Sequence, residues 1–415
     1  MKLQAVVDGR VYASRGRTVL GGPPSRLERL GSLPNPLSGV AGLRYTLMTT
    51  SPWRSAIERV VGAYRTTNVW PITESVMVAT VRRQLFVSHD GGRTWHHTHQ
   101  LPPSSGIAGV LPTAVCAHQG AIYLGEYPLD DDVTPRIRRS IDEGRTWTTV
   151  LELPEVRHVH AICPDPYTGE LWVTTGDRDP ECHIGRLREG RFEPIGGGDQ
   201  RWRAVALVFT PSAILWGMDC VYTDRNRIFR LDRTDLTERP TRSTLGVDDQ
   251  SRSHTAARST TSTDEHSAHD TCPSPTSVGS VPNSVYYGTT LTIDDTPWVV
   301  FSTAIETGGD STAPDRRPTD RTQPTAGHDT ATVVAASAKS EYTDWCELAR
   351  FRTPTQPIEY VDSGGRFPTA NTYVFLGSDP DHGVIVNPCN TATDHGRLIT
   401  VSPETIVELA GAQSR

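Results

Sequence analysis

The chain has 415 residues, of which 41 are lysine or arginine and 48 are aspartate or glutamate, giving a formal net charge of −7. This acidic balance argues against a nucleic-acid partner, because binding to phosphates needs a basic face. The sequence has no apolar stretch of signal-peptide or membrane-spanning length, and its seven dispersed cysteines form no CxxC pair, so we expect a cytoplasmic protein with reduced thiols and no membrane partner.

Seven pairs of short strand-like runs follow one another along the chain, each rich in β-branched and aromatic residues and bounded by Gly, Pro or Asp. The pairs begin at Val11, Ser75, Ala121, Glu170, Ala213, Ser284 and Tyr373. The pattern predicts an all-β fold, a single β-propeller over residues 1–415 with seven blades, six being the alternative. The first blade is short, and the strand near Leu398–Val401 could complete it. One short helix is expected over Arg54–Tyr64.

Two eight-residue segments share the pattern S-x-D-x-G-x-T-W, at residues 88–95 and 140–147. An aspartate in such a turn can accept hydrogen bonds from nearby backbone N–H groups, and the glycine supplies a positive φ. The segments resemble the Asp-box (BNR) repeat of sialidase-like β-propellers. In that family the box lies in the turn between the two outer strands of a blade, away from the ligand face. The resemblance therefore implies structural roles for Asp90 and Asp142.

If the boxes mark the turns between third and fourth strands, the opposite rim of the propeller is the candidate ligand face. Carboxylates follow the predicted second strand in four blades, namely Glu126, Asp177, Asp219 and Asp379. Equivalent positions on neighbouring blades would place these side chains around one rim. Aspartate is also common in turns for structural reasons, so that interpretation stays open for each of them.

A histidine pair begins the fourth predicted blade. His158 and His160 should point to the same face of a strand, because side chains alternate with a period of two. The loop after the next strand would bring Asp177, Asp179 or His183 near them. Such a set suits Zn²⁺ or Mn²⁺, with His158, His160 and His183 as candidate ligands. A metal-free general base, or two buried histidines bonded to the backbone, are the alternatives.

The next predicted blade opens with Arg201, Trp202 and Arg203. Two arginines on one side of a strand can hold a carboxylate or sulfate, and the tryptophan between them offers a stacking face for a sugar. Arg157 could add a third cation, which together indicates an acidic saccharide as the ligand. Exposed arginines without a function, in a chain rich in arginine, are the alternative.

Residues 243–280 and 306–338 interrupt the strand pattern. Both are dense in Ser, Thr, Asp, His and Pro and poor in large apolar residues. Such segments cannot bury enough surface to offset the entropy of ordering, so we predict two disordered or mobile insertions.

These observations predict a carbohydrate-active propeller that hydrolyses or eliminates at an acidic saccharide. The candidate catalytic residues are Asp177 and Glu126 as acid and base, with His158 and His160 as base or metal ligands. The candidate substrate contacts are Arg157, Arg201, Trp202, Arg203, Asp219 and Asp379. The F/Y-R-I-P arginine motif of sialidases is not found, so true sialidase activity is not expected. The alternative is a non-catalytic propeller that binds a glycan or a protein through its rim.

Overall fold

The computed structural model describes residues 1–50, 67–105, 109–221, 223–237, 273–306, 329–354 and 371–413. Within these residues, 27 strands form seven antiparallel sheets that are arranged as the blades of a β-propeller. Six blades have four strands and the seventh has three. The prediction of an all-β, seven-bladed propeller is confirmed, and the six-bladed alternative is wrong.

The first four blades take up the N-terminal half of the chain. Blade 1 contains β1 (Lys2–Val7), β2 (Arg10–Arg15), β3 (Thr18–Gly22) and β4 (Glu28–Ser32). Blade 2 contains β5 (Thr67–Pro71), β6 (Met77–Val81), β7 (Gln84–Ser88) and β8 (His96–Gln100). Blade 3 contains β9 (Val115–His118), β10 (Ala121–Gly125), β11 (Arg136–Ser140) and β12 (Thr148–Glu152). Blade 4 contains β13 (His158–Pro164), β14 (Leu171–Gly176), β15 (His183–Arg188) and β16 (Arg191–Gly197).

The last three blades follow in the C-terminal half, and the described residues also form three helices. Blade 5 contains β17 (Val208–Phe209), β18 (Ala213–Gly217), β19 (Asn226–Asp232) and β20 (Thr276–Val281). Blade 6 contains β21 (Val285–Ile293), β22 (Thr296–Thr303), β23 (Thr330–Ser337) and β24 (Cys346–Arg352). Blade 7 contains β25 (Tyr373–Asp379), β26 (Gly383–Cys389) and β27 (Ile399–Val401). The helices are α1 (Gly39–Thr50), α2 (Thr234–Thr237) and α3 (Pro403–Gln413).

The helices of the described residues were not expected from the sequence pattern. The one expected helix, over Arg54–Tyr64, lies outside the described residues and stays a prediction. Across the described ranges, we find no helix with both the length and the apolar character needed to cross a bilayer.

The antiparallel order fixes which connections share a rim. The connections from first to second and from third to fourth strands lie on one rim, called here the lower rim. Those from second to third strands and from one blade to the next lie on the opposite, upper rim. Residues from the first strands of blades 1, 6 and 7 line a cavity of about 170 Å³ at the centre of the ring, as expected for the channel of a propeller.

The ring closes between blades 1 and 7 without sharing a strand. Strand β27 pairs with β26, so the C-terminal strand belongs to blade 7, and the prediction that it completes blade 1 is wrong. The two blades are joined instead by side-chain contacts. The Leu3 N–H donates to Asn387 Oδ1 over 2.8 Å, and Leu3 and Val11 share a buried cluster with Ile385 and Cys389. Apolar packing between adjacent sheets therefore holds the ring together.

The two S-x-D-x-G-x-T-W segments form the β7–β8 and β11–β12 turns on the lower rim. In the first turn, the Asp90 carboxylate accepts hydrogen bonds from the Thr94 N–H (2.9 Å) and the Thr94 hydroxyl (2.6 Å). The Trp95 indole donates to the Gly92 carbonyl over 2.9 Å. Asp142 makes the matching bonds to Thr146 in the second turn. The Asp90 and Asp142 carboxylates thus stabilise the turns between the two outer strands of blades 2 and 3.

Replacing Asp90 with alanine should lower the free energy of unfolding by about 1–2 kcal/mol, because two turn donors lose their charged acceptor. The hydrogen bonds from Thr94 lower the pKa of Asp90 well below its usual value. The stabilisation is therefore present at neutral pH and is lost as the pH falls through that lowered pKa. Urea unfolding at neutral and acid pH measures it. Arg93→Ala is the control, because it removes an exposed side chain and keeps the turn; an equal loss there would contradict a role for the carboxylate.

Parts of both predicted insertions form strands instead. Residues 276–280 belong to β20 and residues 330–337 to β23. Strand β23 is buried along almost its whole length, although it consists of threonine, alanine, valine and serine. Small residues suffice there because the strand is covered on both faces. The rest of the predicted insertions, 243–272 and 307–328, lies outside the described residues.

Candidate functional site

Ionisable and aromatic side chains from five consecutive blades meet at the upper rim. They come from the starts of first strands, from the connections after second strands and from one connection between blades. The group comprises Tyr127, His158, His160, Asp177, Arg203, Asp219, Tyr286, Glu306 and Tyr373. This is the rim opposite the two aspartate turns, which is where the sequence places the candidate ligand face.

Asp177 is the centre of a buried set that we call the histidine–aspartate cluster, formed with Arg157, His158, His160 and Arg203. Its Oδ2 lies 3.0 Å from His158 Nδ1 and 3.4 Å from Arg157 Nη1. Its Oδ1 lies 3.2 Å from His160 Nε2 and 3.1 Å from Arg203 Nη2. Both imidazoles and the carboxylate are shielded from solvent. One carboxylate therefore connects two rings and two guanidinium groups.

A β-bulge places His160 in this cluster. Val159 is paired with Thr175 and Ala161 with Thr174, so His160 is an extra residue in β13 relative to β14. A bulge of this kind twists a strand and redirects a side chain, and bulges are common beside functional sites. Blade 6 has the same irregularity in its first strand, where Tyr286 is the extra residue. The first strand of blade 1 has it too, with Gln4 as the extra residue. Bulges thus redirect one residue in each of the first strands of blades 1, 4 and 6.

The cluster needs a glycine at the end of β14. A Cβ atom on Gly176 would lie 2.7 Å from His160 Cε1 and 3.3 Å from Arg203 Cγ. Both distances are below ordinary carbon–carbon contact, so the bare backbone lets the ring and the arginine approach.

Gly176→Ala should therefore destabilise the protein by about 1–3 kcal/mol, the usual range for overpacking a buried site. The matched control is Gly411→Ala in α3, where a Cβ meets nothing within 4 Å. Alanine there should stabilise by up to about 1 kcal/mol, because it favours the helix more than glycine does. Urea unfolding of both variants tests the pair. Equal stability of Gly176→Ala and the unchanged protein would show that the cluster tolerates the methyl group.

A second set, called here the tyrosine–glutamate group, comprises Asn371, Tyr286, Glu306 and Tyr373. The Tyr286 hydroxyl donates to Glu306 Oε1 over 2.5 Å. The Tyr286 and Tyr373 rings lie 5.2 Å apart, and Asn371 Nδ2 donates to Tyr373 Oη over 3.0 Å. All four residues are partly exposed. This group therefore brings a carboxyl and two phenol groups together in a half-buried position.

Arg203, Asp219 and Tyr127 connect the two sets. Arg203 Nε lies 3.4 Å from Asp219 Oδ2, while the same guanidinium contacts Asp177. Tyr127 stacks on His158 with ring centroids 3.8 Å apart. The charge of Asp219 acts on Glu306 strongly enough to shift its pKa. The charges of the histidine–aspartate cluster and the tyrosine–glutamate group therefore influence one another.

The environment drives the pKa values of two rim carboxyls in opposite directions. Burial, reinforced by the negative charge of Asp219, raises the pKa of Glu306 to about 7. Burial would also raise the pKa of Asp177, but its contacts with His158 and His160 outweigh this and hold that pKa well below its usual value. At neutral pH, Asp177 is ionised while Glu306 exchanges a proton readily.

Burial keeps one histidine and two tyrosines of the rim neutral near pH 7. Burial lowers the pKa of His158, so its ring carries no proton charge there. Burial, and then the charge of Asp177, raises the pKa of Tyr127, and burial together with Glu306 does the same for Tyr286. Both phenols therefore keep their protons and can donate hydrogen bonds.

Glu126 does not join Asp177. Its side chain is fully buried, and its Oε1 lies 2.6 Å from Arg138 Nε on β11 of the same blade. The expected acid–base pair of Asp177 and Glu126 is therefore not assembled. Glu126 does follow a second strand, as the sequence predicts, so its backbone lies at the upper rim. Its side chain, however, turns into its own sheet and pairs with Arg138 there.

Arg201 and Trp202 also lie apart from the cluster, and the expectation that Arg201 and Arg203 lie on one side of a strand is wrong, because residues Gln200–Trp202 form a short helical turn. Asp199 caps a short turn here by accepting from the Arg201 N–H, and Arg201 Nη2 pairs with Asp199 over 2.8 Å. Trp202 is buried and stacks on Trp216 with centroids 5.4 Å apart. Only Arg203 of the three reaches Asp177, because the turn rotates successive side chains to different sides.

His183 and Asp379 occupy other places than expected. His183 Nε2 lies 2.9 Å from the Pro180 carbonyl, and the ligand atoms that the structure does gather come from His158, His160 and Asp177. Asp379 ends β25, which is the first strand of blade 7, so it lies on the lower rim. There its Oδ1 accepts from the His382 N–H over 2.8 Å. The sequence interpretation took this strand for a second strand and so assigned the wrong rim.

The sequence analysis missed Tyr127, Tyr286, Glu306 and Tyr373. Glu306 follows β22, the second strand of blade 6, and so carries the same signal as Asp177 and Asp219. It was assigned instead to the start of an insertion. Single tyrosines carry no comparable signal, because the same residue type is common inside strands.

Comparisons with known proteins assign no family. No family model matches the sequence, and no curated protein does. Among solved structures, the chain is similar to a puromycin-hydrolyzing peptidase of Mycobacterium tuberculosis, with 11% sequence identity and a TM-score of 0.44. The match covers 96% of this chain and 52% of that chain, so this chain spans about half the length of the peptidase.

Proposed function

We propose that the protein is a carbohydrate-active enzyme that hydrolyses a glycosidic bond at the upper rim. The observation that carries this is the contact between Tyr286 and Glu306, close enough to Asp219 for that residue to raise the pKa of Glu306. A carboxyl group with a pKa near neutrality beside a second carboxyl group is an arrangement that glycoside hydrolysis uses.

Glu306 is the proposed proton-transfer residue. With a pKa of about 7, it can give a proton to the leaving sugar oxygen and take one from water at neutral pH. The hydrogen bond from Tyr286 fixes the orientation of the carboxyl group. Asp219 is the proposed second carboxylate, since its Oδ1 has no hydrogen-bond partner among the described residues. Asp177 suits this role less well, because both of its oxygens are already engaged.

The charges at the rim favour a neutral saccharide over an acidic one. Arg157 and Arg203 were the expected anion contacts, yet each already lies against carboxylates, Arg157 against Asp131 and Asp177 and Arg203 against Asp177 and Asp219. A substrate carboxylate would have to compete with these partners. Sugar hydroxyls, by contrast, can donate to carboxylates and pack on the tyrosine rings.

The test is mass spectrometry of products after incubating the full chain with matched neutral and acidic oligosaccharides in ¹⁸O-labelled water. Fragments of neutral substrates that have gained one labelled water would support the proposal. Unsaturated fragments would show that the reaction is an elimination and not a hydrolysis. Intact substrates throughout, together with retention on a glycan array, would instead favour the non-catalytic binding function.

A further inference from the structure

The two histidines of the cluster leave ring nitrogens without hydrogen bonds. His158 is 2% exposed and His160 is 1% exposed. Among the described residues, neither nitrogen of His158 has an aligned hydrogen-bond partner, and Nδ1 of His160 has none. A buried polar atom left unsatisfied is costly, typically about 1–3 kcal/mol. Of these atoms, His158 Nδ1 faces Asp177, whereas His160 contacts the carboxylate through its other nitrogen, Nε2. The unsatisfied His158 Nδ1 therefore indicates a missing partner beside Asp177, of which an ion is one kind.

The positions of the ligand atoms fit a single metal ion. His158, His160 and Asp177 each offer one atom, and these atoms lie within 4.8 Å of one another. His158 Nδ1 is 3.0 Å from Asp177 Oδ2, and His160 Nε2 is 3.2 Å from the other oxygen, Asp177 Oδ1. Two ligands bound at about 2.1 Å to one ion are roughly 3.0–3.4 Å apart at octahedral or tetrahedral angles.

The charged side chains around Asp177 carry a net negative charge, which favours binding of a cation. Arginines approach this carboxylate, but each of them is shared with a further acidic residue. The charged side chains in contact here are Arg157, Arg178, Arg203, Asp131, Asp177, Glu181 and Asp219. Three positive charges therefore face four negative ones, and the histidines add no charge when neutral.

We propose that His158, His160 and Asp177 bind a first-row divalent metal ion, with Zn²⁺ as the first candidate. Two imidazoles and one carboxylate form a ligand set that Zn²⁺ and related ions use, with coordination positions left for water or a ligand. His183, which the sequence offers as the third ligand, is replaced by Asp177. None of the three ligands is a residue that the proposed hydrolysis uses, since that reaction is assigned to Tyr286, Glu306 and Asp219.

The proposal predicts one tightly bound ion per chain. Full-length protein, stripped with chelator and dialysed, is titrated with Zn²⁺ by calorimetry and with Co²⁺ by visible absorption. His160→Gln should weaken binding by ~100-fold or more, since it removes a direct ligand. His183→Gln is the matched control from the same blade and should bind as the unchanged protein does. Zn²⁺ should also raise the melting temperature of the unchanged protein and of the control.

Three outcomes would overturn the proposal. They are failure of the unchanged protein to bind Zn²⁺, Mn²⁺ or Co²⁺, equal binding by His160→Gln, and an equal loss in His183→Gln. Circular dichroism establishes that the variants are folded, and His158→Gln serves as a second ligand variant if His160→Gln is not. Since none of these measurements uses activity, they separate the metal site from the hydrolase proposal.

Discussion

Replacing Asp177 with alanine should lower the free energy of unfolding of the metal-free protein by about 3–5 kcal/mol, the largest stability effect that we expect at the rim. Arg157 and Arg203 are shielded from solvent and both contact this carboxylate. Without it, two buried guanidinium groups lose a counter-charge, and His160 loses its hydrogen-bond partner. Breaking a buried ion pair by removing one partner is costly for this reason.

Asp131→Ala is the control for this prediction. Asp131 pairs with the same Arg157 over 3.0 Å, but its side chain is 51% exposed. An ion pair at such a position contributes little to stability, because water screens it. Urea unfolding of both variants gives the comparison. A loss below about 1 kcal/mol for Asp177→Ala would show that the cluster is more hydrated than the structure indicates.

Replacing Glu306 with glutamine should abolish most turnover and change how stability depends on pH. Removing a proton-transfer residue typically slows a reaction by about 10²–10⁴-fold.

The same substitution should change how stability depends on pH. The pKa of Glu306 is raised to about 7, so between its ordinary value and 7 the folded state binds more protons than the unfolded state. Stability therefore falls as the pH rises through this window, and glutamine removes that loss. Above about pH 7 the variant should be more stable by on the order of 2 kcal/mol.

Urea unfolding from about pH 5 to about pH 8 measures the stability difference between the Glu306 variant and the unchanged protein. The exposed Glu404 supplies the control, because its hydrogen bond with Ser402 lowers its pKa. Its replacement by glutamine should give a difference that stays constant over the same range. A constant difference for Glu306→Gln as well would contradict the raised pKa, and unchanged turnover would remove Glu306 from the mechanism.

The sequence allowed the fold to be predicted, and with it the rim on which the candidate residues meet, because strand alternation and the two aspartate turns are local signals. The turns also identify third and fourth strands, but they occur only in blades 2 and 3. Elsewhere a first strand and a second strand alternate in the same way. This is why β25 was taken for a second strand, and why Asp379 was assigned to the wrong rim.

The site was predictable only where its residues are close in sequence. His158, His160 and Asp177 belong to one blade, so a strand and its following loop bring them together. Tyr286 and Tyr373 come from other blades, and their meeting depends on the closed ring. The bulge at His160 is equally invisible in the sequence, because an extra residue is defined only relative to the paired strand.

The way in which the ring closes bears on how the protein is made. Each blade is built from one unbroken stretch of chain, and the first and last blades exchange no strand in the described residues. Each sheet can therefore form as soon as its own segment has left the ribosome. The strands made first can pair within their blade, and their edges are not left unpaired until the C-terminal residues are made. Only the last step, in which blade 7 docks against blade 1, requires the whole chain. Slow assembly should be confined to that seam.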